Sequence, residues 1–249
     1  MALKEEFVTT GNLLFKNRSW LPFLFLPFMV VALVQPPFLS PATGGEAGRI
    51  WTAFSILVSL AGLIVRCLVI AFVPKGTSGR NTAEGQIAEK INLTGLYSLC
   101  RHPLYLGNFL IFFGFILYIQ VFWLILLAAA AFWLYYERIM FAEEEFLRSR
   151  FGAEFEEWAS RTPAFWPRLR LWKAPGLAFS FRNILRREYT AFFEIVAGFV
   201  LLHLFRNVFI TGTINFDPGS VVVISGGLLV YLVLRTLKHK TRLLTVEGR

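Results

Sequence analysis

The sequence predicts an all-α protein, a polytopic membrane bundle of about six transmembrane helices with amphipathic helices on its cytoplasmic side. Three observations carry that reading. Of 249 residues, 56% are apolar and only 16% are charged, against roughly 25% charged in an ordinary soluble domain. Long apolar runs recur at a length suited to a bilayer, and Lys and Arg concentrate in alternate loops. The net charge of +9 then belongs to loops flanking spans, and no nucleic-acid partner is expected. Two cysteines and three widely spaced histidines point to neither a disulfide framework nor a zinc site, so no metal is expected.

Residues 1–19 mix charge with a weak amphipathic pattern and lack the apolar core and small-residue site of a cleaved signal peptide. They are expected to lie on the membrane surface. The runs 20–39, 51–73, 104–119, 121–141, 190–211 and 218–234 are each near the roughly 17–25 residues that a spanning helix needs, the third being short and the sixth glycine-rich. A tight turn at Ile119, Gln120 and Val121 folds the third and fourth into an antiparallel hairpin. Of the 25 Lys and Arg residues, 21 fall in residues 1–19, 74–103, 142–189 and 235–249. Both termini and the two long loops are therefore expected in the cytoplasm. No linker or repeat divides the chain, so residues 1–249 are expected to form one membrane domain. Within it, 1–90 supply N-terminal helices, 91–174 a core hairpin with a cytoplasmic cap, and 175–249 a further helix pair.

Ionisable groups inside a bilayer cost several kcal/mol unless paired or wet, which singles out Arg66, Glu137, Arg138, Glu194 and His203. Structural roles are equally open to the first three and favoured for Glu194 and His203. The densest cluster of unusual residues precedes the third span: Thr94, Gly95 and Tyr97, then Arg101, His102, Pro103, Tyr105, Leu106 and Gly107. Pro103 suits a first helical turn, whose free N–H groups would face the cytoplasmic interface beside Arg101 and His102. One hairpin later the fourth span runs on into Glu143, Glu144 and Glu145, which emerge at the level of that basic helix start. Beyond Gly152, Phe155 and Trp158 continue an apolar stripe from Leu147 and Phe151, as an amphipathic cap would.

The Arg-His-Pro-x-Tyr-x-Gly block at 101–107, preceded by Thr-Gly-x-Tyr at 94–97, is followed by Glu-Glu-x-x-Leu-x-x-x-Phe-Gly-x-x-Phe at 143–155 and Pro-x-x-x-Pro at 163–167. This arrangement resembles the isoprenylcysteine carboxyl methyltransferase and phospholipid methyltransferase superfamily of integral membrane enzymes, over about a third of the chain. The flanking residues Gly79, Arg80, Asn81 and Thr82 and the stretch 93–98 are closer to a bacterial branch that includes lipid A phosphate methyltransferases. The resemblance implies S-adenosylmethionine at the cytoplasmic end of the hairpin and a membrane lipid as acceptor. It also implies a location in a bacterial inner membrane. It places Tyr97, His102, Pro103, Tyr105, Leu106, Gly107, Glu143 and Glu144 at the cofactor. Residues 175–249 depart from it, since many relatives end soon after the closing prolines.

Methyl transfer from a sulfonium is an in-line displacement that depends on positioning and exclusion of water. An anionic oxygen needs no general base, whereas an amine must first lose a proton. With Arg abundant in the cytoplasmic loops, a phosphorylated lipid is the preferred acceptor. Arg101 and Arg138 are the residues expected to neutralise it, with Arg66 and the group Arg182, Arg186 and Arg187 further out; Glu144 is expected beside the reacting centre. Carboxyl methylation of a prenylcysteine-like group and N-methylation of phosphatidylethanolamine stay open. So does a non-enzymatic transporter or lipid-binding scaffold using Arg66, Glu194 and His203.

Overall fold

The computed structural model describes residues 2–18, 20–39, 45–74, 81–82, 85–86, 88–214 and 216–248; Gly79 and Arg80 of the sequence features lie outside them. Apolar runs become helices because a bilayer offers no partner for backbone N–H and C=O groups, which must be satisfied within each segment. The helices are α1 (Leu3–Lys16), α2 (Leu26–Leu33), α3 (Glu46–Phe72), α4 (Pro103–Ile119), α5 (Phe122–Phe151), α6 (Ala153–Arg161), α7 (Phe181–Thr211) and α8 (Pro218–Lys240). A two-stranded antiparallel ribbon pairs Asn81 with Gln86 and Thr82 with Gly85. Helices α3, α5, α7 and α8 are long and apolar enough to cross a membrane, while Pro22–Leu33 and α4 are shorter apolar helices. The chain is an all-α, multi-pass membrane protein; of the about six spans expected, four are long candidate spans among the described residues and two are the shorter apolar helices.

The first expected span is the one most altered. Pro22 and Pro27 start two short pieces, a 3-10 turn at Leu21–Phe25 and then α2, and Pro36 and Pro37 prevent the helix from continuing. The segment nevertheless runs the length of the hairpin. Before it, Phe7 of α1 packs edge-on to Phe141 of α5, with ring centroids 5.6 Å apart. At its far end Trp123 Nε1 donates to Gln35 Oε1 at 2.9 Å and the Phe38 N–H donates to the Gln120 carbonyl at 3.0 Å. Helix α1 is likewise held by protein, with Lys4 2.6 Å from Glu145, so the surface-lying segment expected from its charge pattern is docked on α5.

Helices α3 and α4 approach backbone to backbone along a seam of small residues. A Cβ on Gly62 would lie 2.5 Å from the Gly107 carbonyl oxygen, and one on Gly114 would lie 2.1 Å from Ser59 Oγ. Ser59 Oγ donates to the Ile111 carbonyl at 2.8 Å, and Trp51 Nε1 to that of Leu117 at 2.8 Å. Without hydrophobic force between helices in lipid, close packing and such hydrogen bonds are what hold them. Helix α7 is tied to this pair at both ends. At its start, Asn183 Nδ2 donates to the Ile70 carbonyl at 2.7 Å and Ser180 N to that of Ala71 at 3.1 Å. Near its other end Arg206 donates to the carbonyls of Tyr118, at 3.2 Å, and Ile119, which are orphaned by the end of α4 and favour a cation. Tyr231 of α8 packs, with tilted rings, against Tyr189 and Phe193 of α7.

Gly62→Ala forces a methyl against a carbonyl that cannot rotate away, so it is expected to cost about 1–3 kcal/mol and to lower the thermal unfolding midpoint in detergent. An unchanged midpoint would mean that α3 and α4 do not touch at this level.

Candidate active site

Gly95 takes φ +62, a conformation that favours glycine, and starts the 3-10 turn Leu96–Ser98. Pro103 then opens α4 with His102 as the flanking residue, which the fixed φ and missing N–H of proline suit. The closing Pro-x-x-x-Pro segment lies antiparallel along this stretch. Arg101 N donates to the Pro163 carbonyl at 2.9 Å, His102 N to that of Ala164 at 3.0 Å, Arg168 N to that of Leu99 at 3.0 Å, and Gly95 N to that of Lys173 at 2.9 Å. Helix α6 folds back after Gly152 (φ +52) and buries Phe155 completely. The start of α4 is thereby fixed from both sides.

Against it stands the continuation of α5. Arg101 grips Glu144 with two parallel hydrogen bonds, Nε to Oε1 at 2.8 Å and Nη2 to Oε2 at 3.0 Å, and its Nη1 donates to the carbonyls of Ala159 and Thr162. His102 lies between the two acids, its Nε2 3.0 Å from Glu144 Oε1 and its Nδ1 3.5 Å from Glu143 Oε2. The Tyr105 hydroxyl donates to Glu143 Oε2 at 2.8 Å, and its ring stacks on His102 at 5.4 Å between centroids. Burial opposes a charge on His102, but two hydrogen-bonded carboxylates outweigh it and raise the imidazole from 6.5 to about 9. At neutral pH the cluster is one imidazolium, one guanidinium and two carboxylates. Beside it opens a cleft of about 230 Å³ lined by Leu68, Phe72, Lys90, Asn92, Tyr97 and Leu177, among others. Burial, with Glu143 nearby, pushes the Tyr97 phenol above its ordinary value.

A second polar group continues from the first into the bundle. Tyr136 lies 4.8 Å from Tyr105, centroid to centroid, and its hydroxyl accepts from Asn108 Nδ2 at 3.3 Å. The Asn108 Oδ1 accepts from Arg66 Nη1. Arg66 then donates from Nε to Glu188 Oε2 at 2.7 Å and from Nη2 to Oε1 at 3.1 Å.

Of the residues singled out in the sequence, Arg101, His102, Tyr105, Glu143 and Glu144 come together, and Tyr97 borders the adjoining cleft. The others are placed elsewhere. Arg138 turns toward α1, its guanidinium 4.8 Å above the Phe7 ring and its Nη1 on the Leu134 carbonyl; it does not join Arg101 at an anion site. Arg101 itself has its guanidinium committed to Glu144 and two carbonyls, which makes it a brace for the acid and not a free cation for an acceptor. Gly107 faces α3, where a Cβ would lie 2.6 Å from Arg66 Cγ, and Leu106 is buried with Phe132, Met140 and Phe165. Pro103 is fully buried as the helix start. These three shape the wall and do not line the cluster. Asn108, Tyr136 and Glu188 escaped the sequence reading. The first two lie one turn from Tyr105 and two turns from Glu143 on the same helix faces, a spacing that marks them, but Glu188 sits in a basic stretch that reads as topology-setting charge.

Residues 50–154, which carry α3, the hairpin and these acids, match the phospholipid methyltransferase family. The chain is 34% identical over 125 residues to the nickel-cobalt-cadmium resistance protein NccN of Alcaligenes xylosoxydans xylosoxydans, covering 50% of this chain and 55% of that protein. It is 45% identical over 80 residues to the cobalt-zinc-cadmium resistance protein CzcN of Cupriavidus metallidurans, covering 32% of this chain and 37% of that one. The matched region thus spans about half or less of the length of either curated relative. No solved structure matches. The molecule is a multi-pass membrane protein whose central stretch is similar to phospholipid methyltransferases.

Because His102 is raised in the fold, its contribution to stability is fully present below about pH 6.5 and is lost as pH rises through about 9. The unfolding midpoint in detergent is expected to fall over that window in the wild type. In His102→Gln it should be lower at pH 6 and much flatter across the same range; a parallel fall in both would remove His102 as the titrating group.

Proposed function

We propose that this protein is an S-adenosylmethionine-dependent methyltransferase acting on an anionic oxygen of a membrane lipid. The observation that carries the reading is the neutral, mixed cluster of His102, Arg101, Glu143 and Glu144 at the open end of a membrane hairpin, within the stretch similar to phospholipid methyltransferases. The cluster's carboxylates suit the ammonium of the cofactor's amino-acid end. Glu143 accepts from the Tyr105 hydroxyl and lies 3.5 Å from His102 Nδ1, both through Oε2, and it is the carboxylate proposed to receive that ammonium. S-adenosylmethionine would supply an electrophilic methyl group on a sulfonium.

The protein's own residues orient and exclude water. Arg101 and His102 brace Glu144, Tyr105 holds Glu143, and the strap at 163–173 with α6 covers the cytoplasmic side. Both acids accept hydrogen bonds from charged or phenolic donors, so neither is poised to remove a proton from an ammonium acceptor. An acceptor that arrives deprotonated fits this site better than an amine, and a lipid phosphate such as that of lipid A is the proposed case. The names of the relatives speak of nickel, cobalt, cadmium and zinc resistance. Methylating a phosphate monoester, which carries about −1.5 to −2 charge at pH 7, leaves a single negative charge. Fewer headgroup charges hold fewer divalent cations at the surface, which is the proposed link between this chemistry and metal resistance.

With labelled S-adenosylmethionine and total bacterial membrane lipid, the purified protein is expected to transfer label to a phosphorylated lipid, identified by a gain of one methyl in product mass. Label on an amine or on a thioether-linked carboxylate would replace the acceptor proposed, and no label on any lipid would remove the enzymatic reading. Glu143→Gln is expected to lower transfer by roughly two orders of magnitude and to abolish thermal stabilisation by S-adenosylhomocysteine. Stabilisation equal to wild type would take Glu143 out of the cofactor site.

A further inference from the structure

The Arg66 and Glu188 pair lies where the polar chain from the candidate site ends, and its geometry is more ordered than charge balance requires. Two hydrogen bonds onto both oxygens of Glu188 fix the plane of the guanidinium, as a forked pair does and a single contact does not. The remaining contact, Nη1 to Asn108 Oδ1, then decides which way the amide of Asn108 faces. Its Nδ2 is thereby aimed at the Tyr136 hydroxyl, 3.3 Å away. Tyr136 in turn packs against Tyr105, whose hydroxyl is on Glu143. Each link sets the orientation of the next, across α7, α3, α4 and α5.

Glu188 lies on α7, beyond the stretch 50–154 that matches phospholipid methyltransferases. Its side chain is 4% exposed. Arg66 is 23% exposed, and well-packed apolar residues in place of such a largely buried pair are often neutral or better for stability.

We propose that Glu188 is a positioning residue for methyl transfer: through Arg66, Asn108 and Tyr136 it holds Tyr105 and Glu143 in place, so that the C-terminal helix α7 is a working part of the site. The proposal rests on the reading of the Glu143 cluster as the methyl-transfer site, and wild-type turnover tests that reading first. If wild type transfers no methyl to any lipid, the reading fails and this proposal with it. If wild type is active, the variants decide between positioning and mere packing.

The informative variant is Arg66→Met with Glu188→Met, which removes the chain's anchor without leaving a lone buried charge. It is expected to keep the thermal midpoint near wild type and to keep stabilisation by S-adenosylhomocysteine. Its kcat for lipid methylation is expected to fall by at least about tenfold, since small misplacements of reacting groups are costly, with KM for S-adenosylmethionine changing less. Glu188→Asp should recover part of the Glu188→Gln loss. Glu188→Gln and Tyr136→Phe should each lower kcat and together lower it by less than the product of the two, as members of one chain do. Wild-type kcat in the double methionine variant, or multiplicative losses in the Glu188→Gln and Tyr136→Phe pair, would overturn the proposal. If no Glu188 variant can be purified folded, Tyr136→Phe alone decides: kcat equal to wild type overturns the chain.

Discussion

Two carboxylates leaving a membrane helix side by side repel one another and lose water together, so they need cations brought to them. In this protein the cations come from the helix antiparallel to their own. Arg101 and His102 precede α4 by two residues and one residue, and the tight turn at Gln120 sets the register in which they meet Glu143 and Glu144. The left-handed conformation of Gln120, with its N–H on the Leu117 carbonyl, reverses the chain so that the two ends face each other. The third acid of the run, Glu145, points away to Lys4 and Arg148, so one short acidic sequence serves both the site and the docking of α1.

Holding that charge cluster at the end of a hairpin requires the hairpin to be stiff, and much of the stiffness comes from α3. The seam at Gly62, Gly107 and Gly114 lets two backbones touch, with the Ser59 hydroxyl and the Trp51 indole satisfying carbonyls across it. A glycine in a motif block can thus serve packing and not a ligand. Gly107 belongs to the Arg-His-Pro-x-Tyr-x-Gly block, but the atoms it makes room for are those of Arg66. The close approach is also what brings Arg66, from the middle of an apolar helix, within reach of Asn108.

The hairpin, the alignment of its acids with the basic helix start and the cap after Gly152 were legible in the sequence because each rests on a local pattern. Apolar run length fixes a helix, a polar tip between two runs fixes a turn, and Pro at a first turn fixes a start. The run 20–39 was read by hydropathy alone, and hydropathy does not register that Pro22, Pro27, Pro36 and Pro37 divide it. The direction of Arg138 was hidden for another reason. Its partner is a ring on α1, a helix whose amphipathic pattern reads equally as membrane-lying or as protein-docked. Glu188 was hidden because a single acid among Arg182, Arg186 and Arg187 changes a loop's charge count by one, while its consequence depends on Arg66, 122 residues earlier in the chain.

That separation bears on how the chain is organised. A helix pair appended to a working hairpin would be expected to touch it through lipid-like surfaces alone. Helix α7 instead begins on the carbonyls of α3 and ends on those of α4, and between those ends it supplies the counter-charge for the basic residue of α3. Deleting it would leave Arg66 without Glu188 beside Asn108 and expose the open carbonyls at the C-terminal ends of α3 and α4. Helix α7 is thus joined to α3 and α4 by polar contacts as well as by apolar packing, and the charge of Arg66 is balanced by an acid that α7 carries.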